Sequence, residues 1–121
     1  FPTPEGANWE QITIRFNDGH TVSVSAGDVR KVCNYTQMGM VNSKNADFTK
    51  QWELLQSFAE SNGELGWSSS NADAKLKKQK QELSKRLRTF FGLNEDPIEW
   101  IKGEKEYRCR FRILPEGVDD Y

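Results

Sequence analysis

The stretch KLKKQKQELSKRLRTFFG, residues 75–92, combines regularly spaced apolar residues with a dense positive charge. From Lys75 to Arg88 it contains seven basic residues and one acid, Glu82, which gives a local charge of +6. The whole chain has 17 basic and 18 acidic residues, so everything outside this stretch carries a charge of −7. The charge of the chain is therefore strongly asymmetric, and this stretch dominates our expectations for both fold and function.

Helical spacing separates the two kinds of residue in this stretch. The apolar stripe consists of Leu76, Leu83, Leu87 and Phe90. The opposite face carries cations and uncharged hydrogen-bonding groups, with Ser84 at its margin: Lys77, Lys78, Gln81, Lys85 and Arg88. The pattern predicts a helix from about Ala72 to Phe91, with its stripe in the core and Gly92 as a left-handed cap.

Three interpretations of the basic face are open: a solvated face without a partner, a site for an acidic protein, and a site for phosphates. Solvated helices usually mix charges of opposite sign, because each i,i+4 pair contributes a few tenths of a kcal/mol. The ridge formed by Lys77, Gln81, Lys85 and Arg88 has no carboxylate partner on its own face. This favours an anion from outside the domain. Lysine and arginine can bind phosphates or guanine edges, and glutamine and serine can hydrogen-bond to bases, so phosphate binding is preferred.

The N-terminal third predicts a β-hairpin followed by a further strand. Residues 12–16 and 21–25 alternate apolar and polar side chains on either side of Asp18-Gly19, a strong hairpin-turn signal. A third strand is predicted over residues 29–36.

A first helix is predicted to begin near Asp47 or Thr49, either of which can cap it, and to end at Asn62-Gly63. Its apolar stripe consists of Phe48, Trp52, Leu55, Phe58 and Ala59. The sequence ELGW, residues 64–67, can form a short strand after it.

A second hairpin is predicted over residues 98–113, with its turn at KGEK, residues 102–105. The return strand alternates apolar residues with Arg108, Arg110 and Arg112, which is typical of a half-buried strand. These arginines can add phosphate contacts or can simply keep an exposed sheet face soluble. The order of strands, helices and hairpin predicts an α+β fold, a small sheet with two main helices packed against it.

The length of 121 residues predicts a single domain. We expect a linker or loose terminus over residues 1–8, the folded domain over residues 9–114, and an acidic tail over residues 115–121. The chain starts with Phe1 rather than methionine, so we expect either a piece of a longer protein or a processed chain. No apolar run is long enough for a membrane span, so a cytoplasmic location is expected.

Enzymatic motifs are missing from the sequence, and we expect neither catalysis nor a metal or cofactor. The one histidine, His20, falls in the predicted hairpin turn. Cys33 and Cys109 are 76 positions apart and are expected to be free thiols. The tryptophans are expected in or near the core, although Trp67 and Trp100 bracket the basic helix and could border a ligand groove.

Three segments, taken in order, resemble the winged helix-turn-helix DNA-binding output domains of response regulators (OmpR/PhoB type). They are FTKQWELLQSFAESNGELGW (48–67), KLKKQKQELSKRLRTFFG (75–92) and IEWIKGEKEYRCRFRI (98–113). In that family an N-terminal sheet precedes a helix with a Leu-Leu pair, which Leu54-Leu55 matches here. The recognition helix resembles residues 83–92, and the wing resembles residues 98–113. The resemblance spans about residues 10–113 and lies in the pattern and order of elements.

The resemblance implies a small winged-helix domain that binds double-stranded DNA as part of a bacterial-type transcription regulator. The residues implied to face the major groove are Lys77, Lys78, Gln81, Ser84, Lys85 and Arg88. Lys102 and Lys105, at the tip of the wing, would contact the neighbouring backbone or minor groove. The family has a further short helix before the recognition helix, for which the sequence leaves only a single turn around residues 68–72 or none. The alternative function is a winged-helix protein-interaction module whose basic face holds an acidic partner or an adjacent domain.

Overall fold

The described part of the chain contains two α-helices, one short 3-10 helix and seven strands in two sheets. The computed structural model describes residues 1–66 and 74–117, with side chains from residue 76 in the second segment. In chain order its elements are β1 (Ile12–Phe16), β2 (Thr21–Ala26), β3 (Val29–Asn34), α1 (Lys50–Glu60), β4 (Glu64–Gly66), α2 (Ala74–Phe91), β5 (Ile98–Ile101), β6 (Glu106–Cys109) and β7 (Arg112–Leu114). A short 3-10 helix, Trp9–Gln11, precedes β1. The predicted α+β class is confirmed.

The first sheet begins as the antiparallel meander that the alternating residues predict. Asp18 closes its first turn, because one carboxylate oxygen accepts hydrogen bonds from the backbone N–H groups of His20 and Thr21, both at 2.8 Å. β7 adds a fourth strand parallel to β1, so the strand order is β3-β2-β1-β7. One face of the sheet is buried and the other is turned outward.

α1 contacts β1 and β7 and covers the buried face of this sheet. Four residues of its predicted stripe are buried, Trp52, Leu55, Phe58 and Ala59, whereas Phe48 lies before the helix and is only partly buried. The ring of Trp52 packs edge-on against Phe16 with centroids 5.3 Å apart. Its indole N–H donates to the carbonyl of Gly19 at 2.9 Å, which fixes the helix against the first hairpin.

Both helices end where the sequence predicts. The chain leaves α1 through Asn62 and Gly63, whose φ values of 57° and 82° are left-handed. After α2, Gly92 has a φ of 69°, and its N–H donates to the carbonyl of Arg88 at 2.8 Å. Of the two predicted caps for α1, Thr49 occupies the capping position. The predicted start of α2 near residue 72 lies outside the described residues.

The second sheet has the order β4-β6-β5 and is antiparallel. The predicted return strand through residue 113 is wrong: β6 ends at Cys109, and the chain then joins the first sheet as β7. The backbone N–H of Arg110 donates to the carbonyl of Pro97 at 2.8 Å at this crossing point. Phe111 and Ile113 are buried in the main core. The predicted alternation of buried and outward side chains is therefore present, but it extends over β6 of the second sheet and β7 of the first sheet.

One prediction for the apolar stripe of α2 needs correction, because Phe91 is buried more deeply than Phe90. Phe91 is only 1% exposed, since it packs against Trp9 and Phe1 at centroid distances of 5.6 and 5.2 Å. Phe1 is itself partly buried against the core. The first residue of the expected loose terminus is thus packed, and it covers the end of α2.

Candidate nucleic-acid interface

The outward face of α2 carries most of the residues that the sequence places there. Lys77, Lys78, Gln81 and Lys85 are exposed, and Arg88 is half-buried. Ser84 is only 2% exposed, so its predicted place on the binding surface is wrong. It lies four positions after Lys80, on the same flank of α2, and its side chain is close to the carboxylate of Asp96.

The basic residues of α2 divide into two groups by their partners. Lys80 forms an ion pair with Asp96 at 2.7 Å and has a side chain only 12% exposed. Within residues 1–66 and 76–117, by contrast, the outward cations of the helix make no ion pair: Lys77, Lys78, Lys85, Arg86 and Arg88. The positive charge on this face is therefore not neutralised by any described carboxylate.

The turn of the β5–β6 hairpin carries two more cations. Lys102 and Lys105 are exposed in the turn, and Lys105 adopts a left-handed φ of 51°. Glu104, in the same turn, is paired with Arg108 at 2.6 Å. The turn thus presents the two lysines while its own carboxylate is engaged.

A groove with a volume of about 370 Å³ separates α2 from the hairpin. Lys77, Lys80 and Gln81 line one side of it, and Trp100 and Tyr107 line the other. The two rings pack edge-on at 5.0 Å, and the Lys80 ammonium lies 5.7 Å from the centre of the Tyr107 ring. Burial raises the pKa of the Tyr107 hydroxyl. The suggestion that Trp100 borders a groove is confirmed, whereas Trp67 lies outside the described residues.

Two arginines of the predicted phosphate-binding row are already bound to carboxylates. Arg108 forms ion pairs with three glutamates: Glu64, Glu104 and Glu106. Arg110 lies between Glu10 and Glu95, at 2.9 Å from each, with Glu99 at 3.8 Å. These networks join the hairpin to β4, to the turn before β1 and to the loop after α2. Arg108 and Arg110 therefore act within the fold, and the phosphate contacts considered for them are not supported.

A second basic surface, which sequence reasoning missed, covers the outward face of the first sheet. Arg15, Arg30 and Lys31 border a shallow depression of about 330 Å³, together with hydroxyl residues of β1 and β2. Val32, 65% exposed, lies on the same face opposite Ser23. Arg15 alone could have been assigned to the polar side of β1. Its grouping with Arg30 depends on the strand register, which no local pattern reveals.

Groups with catalytic potential are sparse in the described segments. His20 is exposed, with its ring about 6.0 Å from that of Tyr35. Cys33 and Cys109 are free thiols whose pKa values burial raises. Among the described residues, no three His, Cys, Asp or Glu side chains are grouped for a metal ion, and no helix is long and apolar enough to cross a membrane.

No family model matches this chain, and neither a curated protein nor a solved structure matches it.

Proposed function

We propose that this domain binds double-stranded DNA, with α2 in the major groove and the hairpin β5–β6 as a wing against the adjacent backbone. The observation that carries the proposal is the outward face of α2. Three exposed lysines lie there without an ion pair to any described carboxylate, with the neutral Gln81 exposed between them: Lys77, Lys78 and Lys85. Clustered cations that lack internal partners are the electrostatic footprint of a phosphate-binding surface.

The dimensions of the helix agree with this role. α2 has 18 residues and is therefore about 27 Å long. A major groove about 12 Å wide admits one α-helix. Lys77 and Lys85 are eight positions apart, about 12 Å along the axis, so they can contact phosphates at separate points. Gln81, between them, has an amide that can pair with a base edge.

The order of elements gives further support. α1, β4, α2 and the β5–β6 hairpin follow one another, and the second sheet has the order β4-β6-β5. A helix, a basic helix and a hairpin thus follow one another in the order that the resemblance to winged-helix domains implies, and this order supports the proposal. The stretch around residues 68–72, for which a single helical turn or no helix is expected, lies outside the described part of the chain.

A second candidate is the protein-interaction module, in which the same face holds an acidic partner. The observation in its favour is the mixed charge of the hairpin, where Glu99 and Glu104 are more than half exposed near the lysines. Although each of these carboxylates is close to an arginine, its exposure weakens the attraction of the hairpin for DNA, whereas a protein partner can match charges of both signs.

Salt dependence separates the two candidates. Six cations are available for phosphate contacts: Lys77, Lys78, Lys85, Arg88, Lys102 and Lys105. Binding to a random duplex, followed by fluorescence anisotropy between about 50 and 200 mM salt, should give a log–log slope of about −5. The double variant Lys77→Glu, Lys85→Glu should abolish this binding, and the matched variant Arg30→Glu, Lys31→Glu on the first sheet should retain it. A wild-type domain that binds no duplex even at low salt overturns the proposal.

A further inference from the structure

The groove between α2 and the hairpin has a feature that phosphate binding does not need, an accessible tryptophan. Trp100 is 43% exposed, whereas Trp9 and Trp52 are 1% and 0% exposed. Among the described residues, Trp100 and Val32 are the large apolar side chains that remain exposed. A ring that remains this accessible next to a cationic helix offers a stacking surface for a flat, anionic ligand.

The chemistry of the groove suits a nucleobase better than a phosphate group. Trp100 and Tyr107 form its aromatic side. Gln81, on the opposite side, is exposed and makes no hydrogen bond to any described residue, so its amide can both donate to and accept from a base edge. Lys80 is held by Asp96, which leaves Lys77 as the available cation at this position. Stacking, an amide and one cation are the elements with which proteins hold a single unstacked nucleotide.

The position of Trp100 decides which kind of nucleic acid can reach it. In an intact duplex both faces of each base are covered by its neighbours, so a ring in a recess beside the helix cannot stack on them. A base that has left the stack can enter a groove of about 370 Å³, which is near the lower end of the range for small-ligand sites. The groove borders the Lys77–Gln81 half of α2, while Lys85 and Arg88 continue along the helix axis to contact the flanking duplex.

We infer that this groove holds one unstacked nucleobase against Trp100, so that the domain prefers nucleic acid with an unpaired nucleotide beside a duplex. The inference rests on the proposed function, because the flanking cations must hold the nucleic acid in place. It adds a ligand class to that function: a bulge, a flap or a junction with a single strand.

The test compares three probes: a perfect duplex, the same duplex with one bulged thymidine, and a single strand of thymidines. Fluorescence anisotropy at one fixed salt concentration gives the affinities, and quenching of intrinsic tryptophan fluorescence reports stacking. The wild type should bind the bulged duplex more tightly than the perfect one and should be quenched by the bulged and single-stranded probes. Trp100→Ala should weaken binding to the bulged duplex about 5- to 150-fold while leaving the perfect duplex unchanged, since stacking of one base contributes this much.

Two further variants control for folding and for general loss of apolar surface. Trp100→Phe keeps an aromatic platform, so it should retain most of the preference for the bulge while losing the quenching that belongs to Trp100. Val32→Ala removes an exposed apolar side chain from the first sheet and should change neither affinity nor quenching. Thermal melting of each variant confirms that the fold is intact.

The outcomes distinguish this inference from the proposed function. Equal affinity for bulged and perfect duplex, or a Trp100→Ala effect of the same size on both, overturns the inference and leaves duplex binding standing. Binding of the bulged and single-stranded probes without binding of the perfect duplex supports the groove and overturns the duplex-binding proposal. Failure to bind any probe at low salt overturns both.

Discussion

The ammonium of Lys80 lies 2.7 Å from a carboxylate oxygen of Asp96, and this contact ties the middle of α2 to the loop that precedes β5. Asp96 also accepts a hydrogen bond from the backbone N–H of Ile98 at 3.0 Å, so one carboxylate fixes both the helix and the first strand of the hairpin. The groove between α2 and the hairpin has Lys80 in its wall. The geometry of the candidate interface therefore depends on this pair.

Replacing Asp96 by Asn should lower the free energy of unfolding by about 1 kcal/mol at neutral pH, since the carboxylate is partly exposed and its ion pair is screened by solvent. Burial raises the pKa of Asp96, but the hydrogen bonds from Lys80 and Ile98 outweigh burial and hold it below its ordinary value. Its stabilising contribution is therefore complete above about pH 4 and is lost as the pH falls through the lowered value. Thermal unfolding of both proteins should show a difference at pH 7 that disappears in strong acid. A difference that is independent of pH would exclude a role for the charge.

Arg110 should matter for stability and not for binding. Replacing it by Met leaves Glu10, Glu95 and Glu99 without their shared cation and should lower the free energy of unfolding by about 1 kcal/mol, as expected for partly exposed pairs. Urea denaturation measures this loss, with Arg110→Lys as an intermediate control because it keeps the charge but not the forked geometry. The affinity for duplex should stay the same. A marked loss of affinity in a folded Arg110→Met variant would instead restore the phosphate contact considered from the sequence.

The local patterns of the sequence predicted most of the elements, because they depend on neighbouring residues. The alternation around Asp18 gave the first hairpin, and the periodicity around Leu83 gave α2 together with its left-handed end at Gly92. The division of residues 106–113 between two sheets was not predictable in the same way. The alternation of apolar and polar residues indicates which side chains are buried. The pairing of β6 and β7 with their neighbouring strands depends instead on contacts with residues far away in sequence, such as Ile14 with Ile113.

The exposed residues of the candidate interface could also be predicted in part from the sequence. The helical wheel identified Lys77, Gln81 and Lys85 as exposed, because that face is opposite the core. It could not show that Lys80 pairs with Asp96, or that Arg110 reaches Glu10, which is 100 positions away. The burial of Ser84 could not be predicted either, since the Asp96 carboxylate close to it comes from beyond the helix. Partners that are distant in sequence thus decided which of the cations remain available.

The two lysines of the hairpin turn should contribute to binding in proportion to their charge. Lys102→Ala with Lys105→Ala removes two exposed cations, which should weaken duplex binding and reduce the salt slope by about 2. Stability should stay within about 0.5 kcal/mol for exposed substitutions of this kind. Affinity measured at several salt concentrations provides the slope. If the slope does not change, the hairpin does not approach the phosphate backbone, and the wing role would have to be abandoned.

Substitutions of Leu83 and Lys85, two positions apart in α2, should separate effects on folding stability from effects on duplex affinity. Leu83 is fully buried, so Leu83→Ala should lower the free energy of unfolding by about 2 to 5 kcal/mol through lost burial and the remaining cavity. Lys85 is exposed and forms no ion pair with the described residues, so Lys85→Ala should change stability by less than about 0.5 kcal/mol. For duplex affinity the order should be reversed: Lys85→Ala weakens binding and reduces the salt slope by about 1, while folded Leu83→Ala binds like the wild type at a temperature well below its melting point. Denaturation and anisotropy on the same samples measure both quantities. Equal effects of the two variants on affinity would mean that binding follows the stability of the helix and not the charge on its outward face.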